Sequence, residues 1–462
     1  MGTGQPITMR PYDPTNMSDR RLVRRIGLRL LPVMILLFTC GYLDRLNIGI
    51  AALQMGRDLP LNAKLIGLAT GLFSVTYTIL QLPSNLALKR VGASRWFCLL
   101  AVAWGLVTIA TAFIRTPNEL LLSRAALGVC EAGIYPGLIY YISLWFPEEL
   151  RARVLFLTLL PVAAVLGTPM SGAILQFFDH FGGLSGWRWM FIMEGAPSIV
   201  IGIVAGVVLT SWPHEAKWLS AAEKTFVIET TGRQTDDGGE GGSTMARVRS
   251  VAFDGTVLAL GVSYACVVSG FTSMQVFMPQ ILATTAAALH IVLHPFQTSL
   301  LTAIPYIVST IGAWFWTQHS DQTGERRWHC AIATIVGAIS IVAAALSTNV
   351  YILVFSLVLA MFGISASLSV MWQLAIRARP PSDTSIVAAI VNTTGSAWLI
   401  AVPFIVGVLR DASGSYFSAL LFIATLMTIG AVLSLFIRHT DKRADSAHLL
   451  SNQTEGALPK QP

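Results

Sequence analysis

Apolar stretches of about 20 residues recur along nearly the whole 462-residue chain, and this recurrence constrains the fold more than any other feature. A helix of about 20 residues matches the roughly 30 Å thickness of the hydrocarbon core of a bilayer. Only 12% of the residues are charged, against about 25% in a typical soluble domain. The stretches lack the alternation of a transmembrane β-strand, so the sequence predicts an all-α integral membrane protein.

We predict twelve transmembrane helices in two pseudo-symmetric six-helix halves. Spans of the first half are expected near 28–52, 65–88, 96–114, 119–143, 154–178 and 189–211. Spans of the second half are expected near 253–284, 297–318, 329–347, 350–375, 384–409 and 414–438. The corresponding domains are an N-terminal cytoplasmic segment, a first bundle, a linker, a second bundle and a cytoplasmic tail, at 1–27, 28–211, 212–252, 253–438 and 439–462.

Basic residues mark one side of these spans. Four arginines precede the first span, and three basic residues follow the second: Arg20, Arg21, Arg24, Arg25, Lys89, Arg90 and Arg95. By the positive-inside rule, both termini and the linker are expected in the cytoplasm. The net charge of +7 follows from this topology, so nucleic-acid binding is not implied. Gly-containing basic turns follow the second span of each half, a repeat typical of duplicated transporters.

Four ionisable residues interrupt the predicted spans of the first half, and no comparable charge interrupts those of the second: Asp44, Arg45, Arg124 and Glu131. Each charge costs about 2.5 to 3.5 kcal/mol at the centre of a spanning helix, so such groups are expected to pair or to line a watery path. Asp44 and Arg45 point about 100° apart on a helix, which lets Arg45 face a central cavity while Asp44 faces a neighbouring helix. Arg124 and Glu131 lie two turns apart on one face.

These side chains predict a site for an anion coupled to protons. The planar guanidinium of Arg45 matches a substrate carboxylate. Glu131 and Asp44 are candidate proton carriers, with Arg124 as their partner, because a buried carboxyl group can change its protonation state. Tyr42, Tyr77 and Gln81 are candidate substrate ligands. The alternative is a permanent, fully paired network that only fixes helix packing.

Several strings carry a resemblance to a known family: Gly41 to Ala51 (GYLDRLNIGIA), Leu82 to Trp96 (LPSNLALKRVGASRW), Glu131 to Arg153 (EAGIYPGLIYYISLWFPEELRAR) and Gly186 to Pro197 (GWRWMFIMEGAP). They resemble signatures of the major facilitator superfamily and, within it, of the anion:cation symporters, which include bacterial tartrate, galactonate and phthalate permeases and sialin. The resemblance implies proton symport of an organic carboxylate, with the roles given above for the four charged residues. It also places Trp372 and Asn392 at cavity-facing positions of the second half.

The remaining expectations concern partners and competing functions. We expect a bacterial inner-membrane protein that works as a monomer, with protons as coupling ion and no other cofactor. His290 and His294 lack further ligands for a metal, and the five cysteines are expected to be packing thiols. Arg188 and Glu194 are expected to form an interfacial pair. Among transporters, the competing function is a proton-independent uniporter or exchanger. A membrane-embedded enzyme would need a nucleophile or a metal site, and a sensor would need a large soluble domain; the sequence offers neither, so both are disfavoured.

Overall fold

The computed structural model describes residues 12–13, 15–159, 162–231, 244–380 and 383–437. These residues form α-helices and short helical turns, and no strand occurs among them. The helices of the first half are α1 Met17–Met55, α2 Ala63–Val91, α3 Ala93–Thr111, α4 Pro117–Glu131, α5 Ile134–Trp145, α6 Glu148–Thr158, α7 Thr168–Phe177 and α8 Gly186–Val208.

Two short helices, α9 Ala221–Thr231 and α10 Thr244–Ala252, lie in the linker. The second half contains α11 Gly255–Ala288, α12 Pro295–Thr323, α13 Arg327–Ala345, α14 Val350–Arg377, α15 Thr384–Ser413 and α16 Phe417–Leu435. Eleven helical stretches of the described residues are long and apolar enough to cross a bilayer. The interrupted segment from α6 to α7 takes the place of the remaining span, so the predicted twelve-helix fold is confirmed.

Short polar side chains fix where several helices begin. Thr116 Oγ1 accepts from the backbone N–H of Glu119 at 3.3 Å, and Asn62 Oδ1 accepts from that of Leu65 at 2.9 Å. Asp254 caps α11 in the same way. Such caps satisfy backbone donors that have no partner within the helix, each at about 1 kcal/mol.

Two spans are broken, and prolines lie at or near both breaks. The fourth span stops being helical between Glu131 and Ile134, because Pro136 has no N–H to donate to the carbonyl four residues earlier. The fifth consists of α6, a π-helical turn at Ala163–Gly167, and α7, which has Pro169 in its first turn. Pro161 lies outside the described residues. The first break places Glu131 at the end of a helix in mid-membrane.

The contacts between the two halves are best described from two sides of the membrane. On one side, called the linker face, Arg25 at the start of α1 pairs with Glu223 of the linker helix α9 at 2.6 Å. On the opposite face, the backbone N–H groups of Ala63 and Lys64 donate to the Asp411 carboxylate at 3.2 and 2.9 Å. The hydrogen bonds that Asp411, Gln275 and Phe296 of the second half form with the first half lie between the level of Tyr42 and this opposite face.

Close backbone approach seals the opposite face. A Cβ atom on Gly67 would lie 2.2 Å from the carbonyl oxygen of Pro403, and one on Gly172 would lie 2.3 Å from Ser299 Oγ. Only glycine allows helices from the two halves to meet this closely. The halves are therefore closely joined at the opposite face.

Candidate functional site

An ion pair between Arg45 of α1 and Glu131 of α4 lies at the centre of the first half. Arg45 Nε is 3.2 Å from Glu131 Oε2; the Arg45 side chain is 33% exposed and that of Glu131 only 2%. The guanidinium carbon lies 4.6 Å from the centroid of the Tyr77 ring, a cation–π contact with α2. Arg45 is thus held by an acid and an aromatic ring while part of it stays accessible.

A small cavity borders this pair. Its volume is about 20 Å³, room for roughly one water molecule. Arg45 and Glu131 line it together with Phe38, Gly41, Tyr42, Ile134 and Tyr135. The Tyr42 hydroxyl accepts a hydrogen bond from the Gln275 amide of α11, which closes the cavity with a contact between the halves. In this conformation, the space beside Arg45 is too small for an organic acid.

A second polar network lies behind the first and is fully buried. Arg124 donates from Nη2 to Asn47 Oδ1 at 2.8 Å and from Nη1 to the backbone carbonyl of Asp44 at 3.1 Å. Asp44 Oδ1 accepts from Asn47 Nδ2 and from Thr108 Oγ1, both at 3.1 Å. Asn47 therefore bridges the acid and the base, and Asp44 turns toward α3 while Arg45 faces the cavity.

Glu194 of α8 belongs to this interior and was not predicted there. It is 3% exposed, and its Oε1 accepts from Ser171 Oγ of α7 at 2.5 Å. The predicted pairing of Arg188 with Glu194 is wrong. Residues six apart on a helix point about 240° apart, so the two side chains leave α8 in different directions.

Arg188 instead joins elements at the opposite face. It donates to the Ala112 carbonyl at 2.5 Å and lies 3.9 Å from the Asp58 carboxylate. Burial acts to raise the pKa of Asp58, but hydrogen bonds from Ser185 and Trp187 and the charge of Arg188 outweigh it and hold that pKa below its usual value. This ion pair ties the end of α1 to the start of α8.

The structure brings some of the predicted residues together and leaves others apart. Tyr42, Asp44, Arg45, Tyr77, Arg124 and Glu131 form the two adjoining networks. Trp372 packs edge-on against Tyr264, with ring centroids 5.3 Å apart. Gln81 and Asn392 are half-buried on α2 and α15. Among the described residues, no hydrogen bond joins Gln81, Trp372 or Asn392 to the charged cluster.

Four members of this interior were missed from the sequence. Asn47 and Glu194 complete the buried networks, Gln275 reaches Tyr42 from the other half, and Tyr306 lies near Tyr42 with a buried hydroxyl that has no hydrogen-bond partner among the described residues. The spacing of Asn47, three residues after Asp44 on one helical face, was an available signal.

Comparison with known proteins identifies the fold and the family. The family model "Major Facilitator Superfamily" matches residues 33–285. A protein named as a tartrate transporter in Agrobacterium vitis is 33% identical over 93% of this chain and 94% of its own length. The inner membrane transport protein RhmT of Escherichia coli is 32% identical over 92% of this chain and 98% of its own.

Solved structures show the same architecture. A bacterial homologue of the human lysosomal transporter Spinster superposes with a TM-score of 0.72 at 16% identity, covering 90% of this chain and 97% of that one. The xylose transporter XylE from E. coli gives 0.68 at 14% identity, covering 90% and 99%. These two likenesses show the fold alone. The family model and the relatives of over 30% identity show that the chain belongs to the major facilitator superfamily, as a permease like the anion:cation symporters.

Proposed function

We propose that this protein imports an organic carboxylate together with protons across a bacterial inner membrane, by alternating access. The relatives support the substrate class, since two of them are named as tartrate transporters and cover over 90% of this chain. The transporter fold, the buried charged cluster and the asymmetric contact between the halves support the mechanism.

The observation that carries the proposal is the Arg45–Glu131 pair. A guanidinium that is one-third exposed beside a cavity suits a substrate carboxylate, because its planar fork matches two carboxylate oxygens. Glu131 is buried and occupies one edge of that fork through a single hydrogen bond. A proton on Glu131 would remove the competing charge and leave Arg45 available to the substrate.

The charge count within the cluster supports proton exchange. Three buried carboxylates, those of Asp44, Glu131 and Glu194, share the interior with two guanidinium groups, those of Arg45 and Arg124. Each carboxylate also has one oxygen without a hydrogen-bond partner among the described residues. Since an uncompensated buried charge is costly, an excess acid is best accommodated with a bound proton. A permanent, fully paired network would not leave these oxygens unpartnered.

The proposed cycle follows from these contacts. Protons enter from the outside and neutralise Glu131 and Asp44, so that Arg45 binds the substrate carboxylate. The loaded carrier then closes around its cargo and opens inward. After substrate and protons leave, the Arg45–Glu131 pair re-forms and allows the empty carrier to return. Arg124 holds Asp44 and Asn47 in place throughout.

The positions of the contacts indicate the state of the carrier. Hydrogen bonds and close helix packing join the halves at the opposite face. With the linker and both termini in the cytoplasm, as the arginine distribution predicts, this is an inward-facing form with its substrate space collapsed around Tyr42. One chain supplies both halves of the pathway, so we expect a functional monomer.

The polar groups around the cavity indicate which classes of carboxylate the protein could carry. Tyr42 and Tyr77 are beside Arg45, and Gln275 reaches the same space from the second half. Hydroxyl and amide groups of this kind suit a hydroxy acid or a sugar acid, and the aromatic rings also suit an aromatic acid. Gln81, Trp372 and Asn392 would join the pocket only if the halves move.

Flux measurements on purified protein test the proposal. In proteoliposomes, an inward pH gradient should drive uptake of radiolabelled L-tartrate, or of another carboxylate that stabilises the protein in a thermal-shift screen. Glu131→Gln should abolish gradient-driven accumulation, with at least a tenfold loss, yet retain exchange of internal for external substrate. Glu223→Gln, which removes an acid from an ion pair in the linker, serves as the control.

Other outcomes would contradict the mechanism. Accumulation that ignores the pH gradient in the wild-type protein would favour the proton-independent uniporter or exchanger. Normal proton-driven accumulation by a folded Glu131→Gln protein would favour a purely structural cluster.

A further inference from the structure

A basic groove between α1 and α6, at the linker face, plays no part in the transport site. Its volume is about 620 Å³. Four arginines, all exposed, line its outer end: Arg20, Arg21, Arg24 and Arg153. Apolar side chains, among them Leu28, Leu31 and Leu157, line the remainder. The groove thus has a strongly cationic end and an apolar body.

These four arginines differ from their neighbours on the same two helices. Arg25 pairs with Glu223 at 2.6 Å, and Arg29 lies over the Trp218 ring at 4.9 Å. Arg151 donates to the carbonyl groups of Phe146, Ser143 and Thr231. In contrast, none of the guanidinium groups facing the groove forms a hydrogen bond or ion pair with any residue that the structure describes. The acids of α6, Glu148 and Glu149, do not line the groove.

The length of the groove matches one leaflet of a bilayer. From Arg24 to Ile35, eleven residues of helix rise about 16 Å, close to half of the roughly 30 Å hydrocarbon thickness. The cationic end therefore lies at headgroup level, and Leu28, Leu31 and Ile35 follow the depth of an acyl chain. A soluble anion would use only the outer end.

We propose that this groove binds an anionic phospholipid, with its phosphate among Arg20, Arg21, Arg24 and Arg153 and an acyl chain along Leu28 and Leu31. Charge complementarity selects an anionic over a zwitterionic headgroup, since the four arginines have no acidic partner among the described residues. The acyl chain adds binding free energy because it buries apolar surface along the body of the groove. The lipid would bridge α1 and the first part of the broken span, α6. This inference is independent of the transported substrate.

Native mass spectrometry of the delipidated full-length protein tests the proposal. Phosphatidylglycerol should remain bound under conditions that strip phosphatidylcholine of the same acyl chains, with at least a tenfold difference in occupancy. The variant Arg20→Gln/Arg24→Gln/Arg153→Gln should lose at least tenfold of the phosphatidylglycerol occupancy. The control Lys89→Gln/Arg90→Gln/Arg95→Gln removes three charges from the same side and should change it less than twofold.

The opposite results would overturn the assignment. If the wild-type protein retains phosphatidylglycerol and phosphatidylcholine equally, the proposal is wrong. If the triple variant and its control lose equal phosphatidylglycerol occupancy, only general surface charge matters. Inorganic phosphate or glycerol phosphate that displaces phosphatidylglycerol at equal concentration would show a phosphate site and no lipid groove. Thermal unfolding of each variant, expected within a few degrees of wild type because the replaced arginines are exposed, separates loss of lipid from loss of fold.

Discussion

The two halves share a fold but differ in the chemistry of their interiors. Inside the first half are three carboxylates and two guanidinium groups, at Asp44, Glu131, Glu194, Arg45 and Arg124. In the described spans of the second half, the buried polar groups are hydroxyls and amides, such as Ser269, Ser273 and Gln275. Its buried charged residues, Arg326 and Asp383, lie at the ends of helices and are paired there. If transport is proton-coupled as proposed, the acids that bind the protons lie in the first half, and the second half mainly provides the surface against which the first half closes.

This division of labour has a mechanical consequence. Contact between the halves is made by neutral groups near the site, as with Tyr42 and Gln275, and by helix ends at the opposite face. Protonation changes inside the first half can therefore alter the closing of the two halves only through a few contacts at their interface. Substitutions in the charged interior and at the interface should separate the role of protonation from the role of closing.

The largest expected effect comes from the charged half. Arg45→Ala should lower carboxylate uptake at least about 100-fold, because it removes the proposed anion-binding group and leaves Glu131 buried without its partner. Arg45→Lys keeps the charge but loses the planar fork and should retain about a tenth of the activity. Uptake rates in proteoliposomes measure both. Arg57→Ala, which removes an exposed arginine from the same half, is the control and should remain near wild type.

A smaller effect should follow from replacing Glu194, and this substitution tests whether the balance of three carboxyl groups against two guanidinium groups matters for transport. Glu194→Gln removes one of the three acids that share the interior with two guanidinium groups, so the remaining carboxyl groups should release their protons more readily. The pH at which uptake is half-maximal should therefore fall by about one unit, the size expected for a neighbouring unit charge at an effective dielectric constant near 20.

Ser171→Ala keeps the Glu194 charge and removes its hydrogen bond, which makes it the matched control for this pH profile. Its midpoint should move much less than that of Glu194→Gln. Glu194→Gln could instead lower the maximal uptake rate and leave the pH of half-maximal uptake unchanged. Glu194 would then have only a packing role, and the excess of carboxyl over guanidinium groups would not control transport.

The smallest effect concerns closure by the neutral half. Asp411→Asn weakens the hydrogen bonds from Ala63 and Lys64 across the opposite face, since an amide oxygen attracts the start of α2 less than a carboxylate does. A loss of about 1 kcal/mol would favour opening of that face about fivefold.

Alkylation of Ser299→Cys reports this opening, because Ser299 is buried against Gly172 between the halves. Its rate with an impermeant reagent should rise in the Asp411→Asn background. Glu325→Gln weakens a comparable carboxylate contact, to the Trp328 N–H at 2.8 Å, within the second half alone and should have no effect. An unchanged rate with Asp411→Asn would mean that backbone packing, without this cap, keeps the face closed.

Particular residues show where sequence reasoning succeeded. Asp44 and Arg45 were predicted to face different ways, and they do, because adjacent residues on a helix must point about 100° apart. The fourth-span acid and base were predicted on one face, but they bind different partners. Arg124 contacts Asn47, whereas Glu131 contacts Arg45. Periodicity gives a direction within a helix and says nothing about which neighbour stands there.

The sequence alone determined that the protein has twelve membrane spans, because insertion into a bilayer is governed by the apolar length of each segment and by the basic residues beside it. Its local sequence strings also indicated the superfamily. Other features depend on how helices from distant segments of the chain pack together. They are the burial of Glu194 beside Ser171, the bridge through Asn47, the contact of Gln275 with Tyr42 and the helix breaks at Glu131 and Thr158. Partner choice is a long-range property, since it is set by the rotation and depth of each helix in the bundle. Only the tertiary structure decided it.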